Sequence, residues 1–368
     1  MANKEKKFDT FFLGIVVAIL IIGVIAFVSA SLGVLARSEA KFYSILISQL
    51  VLGLIGGTIA LIVTTKINYS FWRKNAFYIF FFSIIMMFLV FIPGLGFTHG
   101  GARRWVDLKF ITFQPAELLK IGFIIYLAGW LSWIKNKVKD IRFSILPLVV
   151  MLGISAALLF TQPDTKSFLL MAISGTVMLF VSGIPWKYIL GLFIVLTITL
   201  GLLLSTTPYL KDRVETFLNP DSDPRGSSYQ LKQSLIAVGS GGFIGRGLGQ
   251  SIQKFDYLPE PQGDSIFAVV GEEFGFLGST ILIILYLAFA LRGLRIAYYA
   301  RDQFGRLLVT GIVILITFQS FLNIASIIGL FPLTGVPLVF VSQGGTSLLF
   351  SLAAVGVVLN VSKYQKFS

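Results

Sequence analysis

The chain has 368 residues, 56% of them hydrophobic and only 13% charged, with a formal charge of +13. Soluble domains carry about 25% charged residues, so most of this sequence faces lipid or itself, and the basic excess reads as loop Lys and Arg that orient the chain rather than as a nucleic-acid surface. With no cysteine and His99 as the single histidine, disulfides, thiolate zinc sites, Ser-His-Asp catalysis and histidine-rich metal sites are excluded.

A bilayer core of about 30 Å needs about 20 apolar residues in a helix. Taken in chain order, apolar runs predict spans at 10–36, 43–64, 76–96, 113–134, 143–161, 167–184, 187–207, 265–291, 307–329 and 335–361. The first follows Lys4-Glu5-Lys6-Lys7; it is too long for a signal peptide and lacks an Ala-x-Ala exit, so it reads as a span. The expected fold is an all-α polytopic membrane protein, one domain over 1–368, with about ten transmembrane helices. Placing the N-terminus in the cytoplasm puts Lys66, Arg73, Lys74, Lys137, Lys139, Arg142, Lys187, Arg292, Arg295, Arg301, Arg306 and Lys363 inside. The short outer loops hold far fewer basic residues, so both termini are expected in the cytoplasm.

Two outer segments break the simple pattern. The loop Gly100-Gly101-Ala102-Arg103-Arg104-Trp105 is basic on the outer side. The segment 208–264, between spans seven and eight, is too long for a plain connection. It is rich in aromatic and aliphatic residues, so it is expected to be an ordered extracytoplasmic loop, with an interfacial amphipathic helix from Ser227 to Val238.

Ionisable groups near membrane depth mark functional candidates. Glu117 and Lys120 stand at i, i+3 in Gln114-Pro115-Ala116-Glu117-Leu118-Leu119-Lys120, as a functional pair or a structural ion pair. Asp164, in Gln162-Pro163-Asp164, is a candidate or simply a helix N-cap, and the same choice holds for Asp264 before span eight. All lie toward the outer side, so four ionisable groups from three segments are expected to converge. Glu272 and Glu273 face the same cavity or bond within the bundle. The glycines Gly239, Gly241, Gly242, Gly245, Gly247 and Gly249 lack a P-loop ending and read as turns and close backbone approaches.

The same residues carry a family resemblance. Gly101 to Trp105, Gln114 to Lys120, Gln162-Pro-Asp164, Asn219 to Gly226, Tyr229 to Leu235, Gly247 to Lys254, Tyr257 to Glu260, Gly271-Glu-Glu273 and Ser342 to Ser347 resemble, in order, the SEDS family. The motifs are closer to its FtsW and SpoVE branch than to RodA. Three departures stand out. The family usually reads His-Thr-Asp-Phe where this chain has Gln262-Gly263-Asp264-Ser265, Gly where it has Lys166, and Ser-Tyr-Gly-Gly where it has Ser342-Gln343-Gly344-Gly345.

The resemblance implies a peptidoglycan glycosyltransferase of the bacterial cytoplasmic (inner) membrane. Such an enzyme polymerises lipid II on the outer face during cell division, with undecaprenyl pyrophosphate leaving. It works beside a class B penicillin-binding protein and other divisome membrane proteins. Asp264 matches the essential aspartate and is assigned as catalytic base, while Glu117, Lys120 and Asp164 match polar residues of the central cavity. Arg103 and Arg104 are expected at the pyrophosphate, with Arg213, Arg225, Lys232 and Arg246 as further candidates. Gln233, Ser234, Lys254, Ser342, Gly344 and Gly345 complete the substrate-binding set. No protein-ligated metal is expected; a divalent cation, Mg or Mn, is the one cofactor considered. The competing classes are a lipid-precursor flippase or transporter and a non-catalytic divisome scaffold.

Overall fold

A computed structural model describes residues 7–99, 102–107, 112–134, 137–219 and 227–365. Arg225, Lys4, Lys6 and most of the Asn219 to Gly226 motif lie outside the described residues. The Asp9 carboxylate opens helix α1 (Thr10–Leu35) by accepting from the Phe12 amide at 2.8 Å. Helix α2 (Glu39–Ile47) runs through a π-helical stretch, Ser48–Gly56, into α3 (Gly57–Lys66). The three form one apolar span, Glu39–Lys66. Helices α4 (Tyr69–Lys74) and α5 (Ala76–Phe88) follow, the latter closed by a 3-10 turn to Phe91.

The chain next departs from the all-helical expectation. Strands β1 (Gly96–His99), β2 (Ala102–Asp107) and β3 (Thr112–Phe113) form a small antiparallel sheet in that order. The third apolar segment therefore ends at Phe91, short of residue 96. The basic outer loop is a hairpin with alternating faces.

Helices α6 (Pro115–Ile134), α7 (Ile141–Thr161), α8 (Thr165–Ser182) and α9 (Trp186–Thr206) continue the bundle. The 208–264 segment folds into α10 (Pro208–Leu218), α11 (Ser227–Ser240) and the single turn α12 (Gln253–Asp256). The helix expected from Ser227 is there; it buries Ser228, Leu231, Ser234 and Ala237. Helices α13 (Ile266–Tyr298), α14 (Gln303–Ile327) and α15 (Gly345–Ser362) complete the chain.

Among the described residues eight helices are long and apolar enough to cross a bilayer. The third expected span is a shorter apolar helix, Ala76–Phe91, and the seventh corresponds to α9, whose apolar part is described over Trp186–Thr199. Helices α14 and α15 are the most enclosed, 78% buried against 22% for the α2–α3 span, so they form the centre and α2–α3 the rim. Rim residues such as Phe77, Phe81, Ile55 and Ile194 expose large apolar side chains, as a lipid-facing surface requires.

The last expected span, 335–361, is corrected at its start: helix begins only at Gly345. Pro332 and Pro337 withhold amide donors and Gly335 takes φ +64°. The irregular stretch is buried in protein, where side chains satisfy its backbone. Asn323 donates to the Val336 carbonyl (2.7 Å), Gln319 to Pro337 (3.2 Å) and Tyr286 to Val339.

The glycine-rich segment after α11 performs a similar service for α13. That helix breaks at Gly275, with φ +65°. The amides of Arg246 and Gly247 donate to the Glu272 and Glu273 carbonyls at 3.0 Å. Those of Phe276 and Leu277 donate back to Gly242 and Phe243 at 2.9 and 3.1 Å. A Cβ on Gly245 would stand 2.1 Å from the Glu273 carbonyl oxygen and one on Gly241 2.0 Å from that of Gly271, so the close-approach reading holds at these two, while Gly242, Gly247 and Gly249 take the positive φ of turns.

Candidate functional site

Asp264 sits in the turn Glu260 to Ser265, immediately before α13. Glu260 adopts φ +45° and its carbonyl accepts from the Gly263 amide at 2.9 Å. The residue before α13 is Ser265, and no side chain caps that helix. The Asp264 carboxylate is therefore turned elsewhere. Its Oδ1 accepts from Gln230 Nε2 on α11 at 3.3 Å, and the same amide group donates to Ser265 Oγ at 3.0 Å. Its backbone carbonyl accepts from Asn323 Nδ2 at 2.7 Å. Asn323 thereby ties the Asp264 turn to the 335–344 stretch, and the Gln343 amide adds a second tie to the Gln262 carbonyl at 2.7 Å.

Two cations, Arg213 and Lys166, stand near this carboxylate. A Cβ built on Gly335 would lie 3.5 Å from Asp264 Oδ2 and 3.4 Å from an Arg213 amino nitrogen, so both groups meet over that glycine. Arg213 donates to the Leu333 carbonyl and stacks on the Tyr209 ring, 4.3 Å from its centroid. Lys166, at the start of α8, donates to the Gly335 carbonyl and interacts electrostatically with Asp164, Arg104, Asp264 and Arg213. Burial pushes the Asp264 carboxyl above the usual carboxylate range. Lys166 and then Arg213 pull it back, and neighbouring Glu260 adds to the rise.

The two hairpin arginines part company. Arg104 Nε donates to the Gln162 carbonyl at 2.9 Å and its amino group to Pro163, bracing the turn that carries Asp164. Arg103 points to its own hairpin, donating to Gly96 (3.2 Å) and Ile92 (2.9 Å). The structure brings Arg104 to the cluster and leaves Arg103 outside it. Arg103→Ala is expected to lower hairpin stability by about 1–2 kcal/mol with turnover intact, whereas Arg104→Ala lowers turnover by about 10²-fold. Thermal unfolding and rate measured on the same preparations separate the two.

Asp164 caps α8, accepting from the Ser167 amide (3.3 Å) and hydroxyl (2.7 Å), and stays within electrostatic reach of Lys166. Glu117 and Lys120 form a buried pair at 2.9 Å, and Lys120 also donates to Gln319 Oε1 at 3.1 Å. Gln319 is one helical turn from Asn323 on α14, so this pair lies about 6 Å deeper than Asp264. Both layers hold the same stretch: Asn323 grips Val336 and Gln319 grips Pro337.

Other expected substrate contacts are placed differently. Lys254 is fully buried against Glu273 (2.7 Å), Ser29 Oγ (2.9 Å) and the Gly249 carbonyl (2.8 Å). Glu272 accepts from Ser251 Oγ at 2.6 Å and pairs with Arg246 at 3.6 Å. This second ionic cluster belongs to the break in α13 and does not act on Asp264. Ser342 Oγ accepts from the Leu338 amide at 2.8 Å, Gly344 donates to Gln49 at 2.9 Å, and Gly345 packs on Ser48. The first bond closes the irregular stretch on itself; Gly344 and Gly345, with the Ser342 carbonyl accepting from Gln49 Nε2 at 3.2 Å, dock it on the π-helix. On α11, Lys232 and Gln233 are half-buried and Ser234 bonds its own helix at the Gln230 carbonyl; it is Gln230 that reaches Asp264. Among the described residues no three His, Cys, Asp or Glu side chains gather as a protein-ligated metal requires.

Asn323 and Gly335 belong to no motif quoted above, and Gln230 and Glu260 lie inside quoted motifs without a role assigned to them; all four stand at Asp264. Lys166 was visible only as a departure from a pattern.

A polytopic bundle that places a carboxylate and two cations, Lys166 and Arg213, at the end of its central helices defines a membrane protein with an ionic site suited to an anionic ligand. The family model described as Cell cycle protein, covering FtsW, RodA and SpoVE, matches residues 9–367, and the chain belongs to that family. It is 39% identical over 360 residues to the "Probable peptidoglycan glycosyltransferase FtsW" of Geobacter sp. (strain M18), covering 98% of both chains. It is 37% identical to the "Stage V sporulation protein E" of Bacillus subtilis (strain 168), over the full length of both. Among solved structures it resembles a chain of "Structural coordination of polymerization and crosslinking by a peptidoglycan synthase complex". There the TM-score is 0.79 at 26% identity, over 98% of this chain and 99% of that one. It also resembles the rod shape determining protein RodA of Thermus thermophilus, with a TM-score of 0.70 at 25% identity and 98% of each chain covered.

Proposed function

We propose that this protein is a peptidoglycan glycosyltransferase that polymerises lipid II, with Asp264 as the proton acceptor. The observation that carries the assignment is the Asp264 carboxylate itself. It is held by Gln230, does not cap α13, and stands with Arg213 over Gly335.

The chemistry follows from these groups. A sugar 4-hydroxyl attacks the anomeric carbon of the donor, the new glycosidic bond forms, and the bond to undecaprenyl pyrophosphate breaks. An α-linked donor gives a β-linked product, so one base suffices and no covalent intermediate is needed. Asp264 takes the hydroxyl proton. A carboxyl whose acidity burial has weakened is a better acceptor near neutral pH than an exposed one. Negative charge grows on the leaving pyrophosphate, and Arg213 and Arg104 supply the opposing charge from fixed positions.

The 39% and 37% identity to FtsW and SpoVE relatives over nearly the whole chain supports a role in division or sporulation rather than elongation. The resemblance to a chain of a synthase complex supports a class B penicillin-binding protein as partner. Both chain ends belong on the cytoplasmic face of the inner membrane. The Asp9 amide donates to Ser362 Oγ at 2.9 Å and its carboxylate pairs with Arg292 at 2.8 Å, at the end of α13 away from Asp264. The 208–264 segment and the active site then face outward.

Fluorescent lipid II given to the purified protein with its penicillin-binding protein partner is expected to yield strands that a β-specific muramidase digests. A product resistant to that enzyme contradicts the inverting assignment. Translocated but unpolymerised lipid II points to a transporter.

A further inference from the structure

Lys166 stands where the pattern this chain otherwise resembles has glycine. At the start of α8 a lysine would ordinarily extend to lipid headgroups. This one turns inward, half-buried, and bonds the Gly335 carbonyl. Gly335 is the residue over which Asp264 and Arg213 meet, and its φ of +64° is one that a larger residue rarely adopts. The ammonium group thus touches the backbone that separates the carboxylate from the arginine.

We propose that Lys166 is a positioning residue for the proton acceptor: anchored on the Gly335 carbonyl, its charge keeps Asp264 ionised and holds the 335–344 stretch beside it. The proposal rests on the reading of Asp264 as base. Every packed element contributes to the balance. Lys166 comes from α8, Arg213 from α10 and neutral Gln230 from α11, while Glu260 opposes them from the same turn as Asp264. Asn323 of α14 holds only the Asp264 backbone. Arg104 from β2 and Asp164 before α8 act on Lys166 rather than on Asp264 directly. Of the groups acting on Asp264, Lys166 does most to favour the charged form after burial is set against it.

The test separates charge from tethering. Lys166→Met removes both. Lys166→Gln retains a donor for the Gly335 carbonyl without the charge, and Lys166→Arg retains the charge. Each full-length variant, with its penicillin-binding protein partner, is assayed for polymerisation of fluorescent lipid II across the pH range. The acid limb of the rate profile is expected to move to higher pH by about one unit or more in Lys166→Met and Lys166→Gln. That is about a tenfold loss of rate on the limb. Rates recover at higher pH, and Lys166→Arg keeps the original limb. Should Lys166→Met fail to fold, the Lys166→Gln profile decides alone. An unmoved limb in Lys166→Gln overturns the proposal and leaves Lys166 as a tether. The base reading is tested apart from this by Asp264→Asn: an active Asp264→Asn sinks the base, whereas an inactive one with an unmoved Lys166→Gln limb sinks only the role of Lys166.

Discussion

Asp264→Asn is expected to lower the rate of lipid II polymerisation by about 10²–10⁴-fold, the usual contribution of a positioned general base. Its fold should be as stable as that of the unchanged protein, or more so. The sign follows from linkage. Burial raises the Asp264 pKa, so the folded state binds this proton more tightly than the unfolded chain does. The cost in stability is absent below the unfolded carboxylate pKa, grows as pH rises, and is complete above the folded pKa. Asparagine removes that charge while keeping a side chain of the same shape beside Gln230. A melting temperature at neutral pH that is unchanged or raised, with activity lost, is the signature of a site that trades stability for chemistry. In the unchanged enzyme, polymerisation should fall as pH falls through the raised Asp264 pKa, because the protonated carboxyl accepts nothing.

Lys254→Ala should have the largest effect on folding. Lys254 and Glu273 are wholly enclosed, 2.7 Å apart, and tie α12 and α13 to Ser29 of α1. Removing one partner of a buried pair costs about 3–5 kcal/mol, because the remaining charge has no solvent to return to. The expected result is a lower melting temperature in detergent and loss of the monodisperse species. Lys254→Met combined with Glu273→Met should recover part of that loss, since neither charge is then stranded. A stable Lys254→Ala protein with impaired turnover would return Lys254 to the substrate-binding role that its motif suggested.

The bundle was legible in the sequence because lipid imposes long apolar runs. The runs at 10–36, 143–161 and 307–329 correspond closely to α1, α7 and α14. The stretch 335–344 misled for the same reason. It is apolar, and its helix-breaking residues are tolerated there only because Asn323, Gln319 and Gln49, from other parts of the chain, satisfy its backbone. The hairpin after α5 gave no apolar signal, and arginines on adjacent strand positions looked equivalent until the pleat sent Arg103 and Arg104 apart. At the site, ionisable residues near membrane depth drew attention to Asp264, Asp164, Glu117 and Lys120, which the structure places on segments that meet around the 335–344 stretch. The same signal included Glu272 and Glu273, and the family motif added Lys254; their partners lie in distant segments. Gln230 and Asn323 are uncharged and carry no cost that would flag them, though they fix the side chain and backbone of Asp264.

The central claim is that this chain itself joins lipid II units through Asp264. Its most direct test is a gel of products from fluorescent lipid II, run for the unchanged protein and Asp264→Asn, each with a partner whose transpeptidase serine has been removed. A ladder of uncrosslinked strands is expected from the first and none from the second. Equal ladders from the two would contradict a role for Asp264 in the reaction.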